Sequence, residues 1–110
     1  VIPIAKKNVP AYRALARKAA KVWLEHGALE FRECVGDDLE PMGARFPALA
    51  GAKRGETVLF SWIVFRSRAH RDRVNAKVVA DPRMEAMMAG RKMPFDMERM
   101  AYGGFRTIVD

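Results

Sequence analysis

Two histidines, one cysteine and a pair of adjacent aspartates are the side chains of this 110-residue chain best suited to chemistry. His70 stands near the start of a predicted helix, beside a Val74/Val78 stripe. Imidazole titrates near neutral pH, so His70 can act as a general base or bind a metal. No second histidine or cysteine stands at ligand spacing from it, so no metal is expected. His26 closes an earlier helix, where a partly positive ring suits the negative end of the helix dipole. Structural or surface roles fit either histidine as well. Asp37 and Asp38 could share a proton or hold a cation. Neighbours on a strand point to opposite faces, however, so a turn cap is the better reading. Asp81 and Asp96 read the same way. Cys34 shares a strand face with Arg32, whose charge would lower a thiol pKa. Without a visible Cys–His pairing, a structural thiol is favoured. There is no glycine-rich phosphate loop and no Ser-His-Asp order, and no cofactor is expected.

The elements that must position these residues follow from periodicity. "VIPIA" predicts a short strand, with Pro3 marking an edge or bulge. "KKNVPAYRALARKAAKVWLEHG" predicts a helix, with Asn8 as cap, Pro10 in the first turn and Gly27 as the left-handed stop. Tyr12, Leu15, Ala16, Ala19, Val22 and Trp23 form its apolar stripe. "ALEFRECVGDD" alternates, with Leu29, Phe31 and Val35 on one face and Glu30, Arg32 and Cys34 on the other. "LEPMGARFPALAGAKRGE" is rich in proline and glycine and predicts a long irregular loop. "TVLFSWIVF" is the strongest strand. Leu59, Ser61, Ile63 and Phe65 line one face and Val58, Phe60, Trp62 and Val64 the other, which calls for cover on both sides. "SRAHRDRVNAKVVADP" predicts a helix capped by Ser67 and broken at Asp81-Pro82. A short helix follows and stops at Gly90, then a turn, "RKMPFD". "ERMAYGGFRTIV" predicts a last strand with Met100, Tyr102 and Ile108 on one face, and Gly103-Gly104 suggests a bulge.

Length predicts one domain over residues 1–110. The chain is 50% hydrophobic, enough for a small core. No apolar run approaches the roughly 20 residues of a membrane helix. The chain does not begin with Met, so the first residues are either trimmed or missing. One cysteine excludes an internal disulfide and fits a reducing cytoplasm. The net charge of +7 invites a nucleic-acid reading. Its densest cluster, Arg66, Arg68, Arg71 and Arg73, lacks the interleaved aromatics of single-strand binders and reads as a solvated helix face.

Strand, helix, strand, strand, helix, strand is the ferredoxin-like βαββαβ order, an α+β fold with a four-stranded antiparallel sheet. Its two helices cover one sheet face. The strand at 57–65 is apolar on both, and an open apolar sheet is rare on a monomer, so a homodimer joined through that face is expected. A pocket between sheet and helices would draw on Phe60, Trp62, Met84, Met87, Met88, Met93, Phe95, Met100 and Tyr102, methionine suiting a wall of adjustable shape. The same residues serve as core filler, which regular spacing favours.

"ECVGDD", "FSWIVF", "RDRVNAKVVADPRM" and "MPFDMERMAYGGF" together resemble the YbaA-like family of small bacterial proteins of unknown function, over nearly the whole chain. Members of that family usually carry several more residues before the position of Val1. The resemblance implies a dimeric α+β barrel, the superfamily of antibiotic-biosynthesis-type monooxygenases, haem-degrading enzymes and muconolactone-isomerase-like proteins. It assigns no activity. Polar side chains orient a substrate ketone in monooxygenases of similar fold, so Asn75, in mid-helix, joins His70 and Tyr102 as a candidate catalytic residue on fold analogy. Three functions follow as expectations: a dimeric module binding a small apolar or aromatic ligand, a cofactor-independent monooxygenase or isomerase, and a nucleic-acid-binding protein.

Overall fold

The computed structural model describes residues 1–40, 43–90 and 92–110. Parts of the predicted loop, Pro41 and Met42, and of the predicted turn, Arg91, lie outside them. Three antiparallel strands, β1 (Ile2–Ala5), β2 (Glu30–Val35) and β3 (Glu56–Val64), form a sheet in the order β1-β3-β2. Four α-helices accompany it: α1 (Val9–Glu25), α2 (Phe46–Ala50), α3 (Arg68–Ala80) and α4 (Pro82–Met88). The α+β class is thus as expected. β3 lies centrally, as its two apolar faces require, and Pro3 lies on an edge strand, where its missing N–H costs little.

Local chemistry sets most boundaries. Pro10 occupies the first turn of α1, and Gly27 follows its end at φ +113°. The Ser67 hydroxyl accepts from the His70 N–H at 3.1 Å and starts α3. Asp81 ends α3 and caps α4, accepting from the Arg83 N–H at 2.9 Å. Asn8 differs from expectation. Its side chain makes no capping bond and instead donates to the Pro94 carbonyl at 3.1 Å, tying α1 to the segment after α4.

Two larger differences concern the expected loop and the expected last strand. The loop contains α2, because its helix breakers sit at the ends of a five-residue run: Arg45 is extended, Pro47 falls in the first turn and Gly51 closes at φ +68°. In place of the last strand, Met97–Arg99 form a 3-10 turn capped by Asp96, and residues 101–110 carry no regular structure. Val1 and Ala101 exchange both backbone hydrogen bonds, at 2.8 and 3.0 Å, as an antiparallel pair does. Among the described residues the sheet has three strands where four were expected.

The core lies between the sheet and α1, α3 and α4. Ile2, Ile4, Tyr12, Ala16 and Leu59 form one cluster, closed by Val9, Phe95 and Met100. Val22, Ala28, Val74, Val78 and Met87 form the other, with Trp23, Ile63, Phe65 and Met84 against it. On the opposite sheet face Val58 and Pro3 are buried, with α2 packed on β1 and β3. Phe60 and Trp62 remain 45% and 41% exposed there. Phe46, Phe60 and Trp62 make a row of edge-to-face rings at 6.0 and 5.9 Å.

Candidate functional site

Helical spacing puts Val9, Tyr12, Arg13, Ala16, Arg17 and Ala20 on one stripe of α1, at i, i+3, i+4, i+7, i+8 and i+11. Strand alternation puts Phe31, Glu33 and Val35 on the face of β2 that meets this stripe, with Leu59 of β3 beside Val35. Ala16 and Ala20 are small, so helix and sheet do not close on each other. A cleft of about 420 Å³ is left between them, lined by these residues and by Cys34.

A polar pair lies in this apolar cleft. The Tyr12 hydroxyl donates to Glu33 Oε2 at 2.8 Å. Burial raises the Glu33 pKa, and hydrogen bonds from Tyr12 and Ser61 offset part of that rise. Burial and the facing carboxylate also push the Tyr12 phenol above its ordinary value. Phe95 packs edge-to-face on Tyr12 at 5.4 Å and holds the ring from behind. Arg13 and Arg17 stand exposed at the rim, and among the described residues neither forms an ion pair. The arrangement can hold an apolar body, exchange hydrogen bonds with one polar group and attract negative charge.

The expected site residues are dispersed. The His70 ring accepts from the Arg66 N–H through Nδ1 at 2.9 Å and stacks edge-on to Phe65. Asn75 Oδ1 accepts from the Trp23 indole at 3.3 Å, and Trp23 leans on Phe31 with ring centres 5.8 Å apart, so Asn75 meets the cleft only through two rings. Tyr102 is 88% exposed. Phe95, Met100 and Met84 close the core, Met88 is partly exposed, and Phe60 and Trp62 lie on the sheet face away from α1. Met87 and Met93 border a second groove of about 520 Å³ beside the first turns of α1. Among the described residues, no three His, Cys, Asp or Glu side chains gather as a metal site would require.

Comparison with known proteins places these features in a family. Residues 1–97 match the family described as "Protein of unknown function (DUF1428)". The chain is 44% identical over 111 aligned residues to the uncharacterized protein YbaA of Escherichia coli K12, covering 99% of this chain and 91% of that protein. The YbaA proteins of Escherichia coli O157:H7 and Shigella flexneri match to the same extent. The chain belongs to the DUF1428 family.

The DUF1428 match spans every side chain of the cleft, from Val9 to Leu59. Tyr12 reads in sequence as one more core residue of the helix stripe. Glu33 carried a clear signal: alternation sets it between Phe31 and Val35, a carboxylate on an otherwise apolar face. Such a residue is either paired or displaced in its pKa, and Glu33 is both.

Proposed function

We propose that this DUF1428 protein is a ligand-binding module that holds a small apolar or aromatic molecule in the cleft between α1 and β2. The observation that carries this reading is the Tyr12–Glu33 pair, set among the apolar side chains of a cleft that Arg13 and Arg17 border. Few polar groups in a mostly apolar concavity is the usual makeup of a small-molecule site. Binding is preferred to catalysis because the two polar groups engage each other, while His70, Asn75 and Tyr102 lie apart.

The module is further read as one domain over residues 1–110, of ferredoxin-like βαββαβ build. The order β1-β3-β2 leaves the place beside β1 for a fourth strand, and the Val1–Ala101 exchange lies there. A second copy is proposed to cover the Phe60–Trp62 face, giving the dimeric α+β barrel. A cytoplasmic setting fits the one free cysteine. No described helix is long and apolar enough to cross a membrane.

A thermal-shift screen of one- and two-ring aromatics against the wild type and Ala20→Leu tests the ligand reading. Leucine keeps helix propensity and fills the gap that alanine leaves. A ligand at about 100 times its Kd adds roughly 2.7 kcal/mol to stability. The expected result is a shift in the wild type that Ala20→Leu loses. A screen without shifts, or shifts equal in both proteins, overturns the reading.

A further inference from the structure

We infer that the ligand of this cleft is an amphiphilic acid: a ring or short hydrocarbon body bearing one carboxylate, with a hydroxyl or carbonyl group at its far end. The inference rests on the binding reading above and deepens it. It comes from the order of chemical groups across the cleft. Arg13 and Arg17 are four residues apart on one helix face, and both are exposed and line the same cleft. Carboxylates hold Arg83, Arg99 and Arg45, whereas Arg54, Arg66, Arg68, Arg73 and Arg106 form no ion pair among the described residues and none of them lines this cleft. Arg13 and Arg17 form no ion pair among the described residues, although a carboxyl group, Glu33, lines the same cleft.

The interior supplies the complement. Val9, Ala16, Phe31, Val35 and Leu59 offer apolar wall to a hydrocarbon body. Glu33 accepts from Tyr12, so the pair can accept from a ligand hydroxyl through the remaining carboxyl oxygen or turn the Tyr12 hydroxyl to a ligand carbonyl, while the acid is held at the rim by the two arginines. A neutral ligand would leave the two guanidinium groups unused, and a cationic one would meet them as like charges. Paired guanidinium donors on a carboxylate are among the stronger charge-assisted contacts.

The test is calorimetry on the full chain with three probes: a hydroxynaphthoate, its methyl ester and an aminomethyl naphthol of the same shape. Each is titrated into the wild type, the double variant Arg13→Gln/Arg17→Gln, and the control Arg54→Gln/Lys77→Gln, which removes equal charge elsewhere. All four positions are exposed, so these changes leave the core intact. The acid is expected to bind roughly tenfold or more tightly than the ester, as an ionic hydrogen bond of about 1.5–3 kcal/mol implies. The rim variant should abolish that preference and the control should keep it. If acid and ester bind alike, or if the control erases the preference as fully as the rim variant, the acid inference is overturned while the cleft stands. If no probe binds the wild type, the cleft reading falls and takes the inference with it.

Discussion

Glu33 and Glu56 are carboxylates whose surroundings drive their pKa values in opposite directions, so acid affects them oppositely. Glu33 titrates above its ordinary 4.5 because burial disfavours the charge. For an acid raised on folding, the stabilising contribution is present below the unfolded value and is lost as pH climbs through the folded one. Glu33→Gln keeps an oxygen to accept the Tyr12 hydroxyl and cannot ionise. It should melt higher than the wild type at pH 7, with the gap closing as pH falls below about 4.5. Melting curves across that range check this, and a gap that widened in acid would contradict it. Glu56 is held down to about 2, first by hydrogen bonds from the Arg99 guanidinium at 2.7 and 2.8 Å and then by the Lys53 N–H. Its contribution is present above about 4.5 and disappears as pH drops through about 2. Glu56→Gln should therefore melt lower than the wild type at neutral pH and converge with it near pH 2. Much at this scale was legible. Asp38, Asp81 and Asp96 each accept a backbone N–H, as turn and cap residues do. For Glu33 the sequence showed a carboxylate on an apolar strand face but not its partner Tyr12, because that depends on which helix residue packs over it.

Among the elements, those bounded by local chemistry were the ones periodicity located. α3 begins where Ser67 can cap it and ends where Pro82 forbids more helix. Ser67→Ala should cost about 1 kcal/mol in chemical denaturation, the ordinary worth of a side-chain cap. Gly27 is held to glycine by its backbone, and an added Cβ would find room. Its φ of +113° is one that other residues rarely adopt, and an added Cβ would lie 3.4 Å from His70 Nε2. Gly27→Ala should cost about 1 kcal/mol or more, since alanine resists this positive φ. A loss no larger than that of an exposed glycine would show that the turn relaxes freely. The misread elements depend on something other than local pattern. In α2 the breakers lie at both ends, so their density said loop while their positions said short helix. The segment after Ala101 has strand composition, but a strand is a relation between two backbones, and only the Val1–Ala101 pair is in place.

At the scale of the whole molecule, shape agrees with the uneven cover of the sheet. The chain measures 40 × 37 × 20 Å, and 20 Å is the depth of one sheet and one helix layer, each about 10 Å thick. Its radius of gyration, 14.9 Å, exceeds the roughly 13 Å of a compact chain of about 100 residues. The helices thus leave one sheet face to α2 alone. α2 lies over Val58 and Pro3 but leaves Phe60 and Trp62 about half open. A ring row of Phe46, Phe60 and Trp62, with exposed Leu49 in α2, is the surface on which the proposed second copy would meet its twin across a two-fold axis. Light scattering at micromolar concentration should give twice the chain mass. Trp62→Arg should give the single-chain mass with an unchanged far-ultraviolet circular dichroism spectrum, because Trp62 belongs to neither core cluster and its arginine would place like charges at the axis. A wild-type monomer would remove the second copy as the cover for this face. A Trp62→Arg protein that stayed dimeric would move the interface elsewhere, and the α1–β2 cleft, on the other side of the sheet, would be untouched by either result.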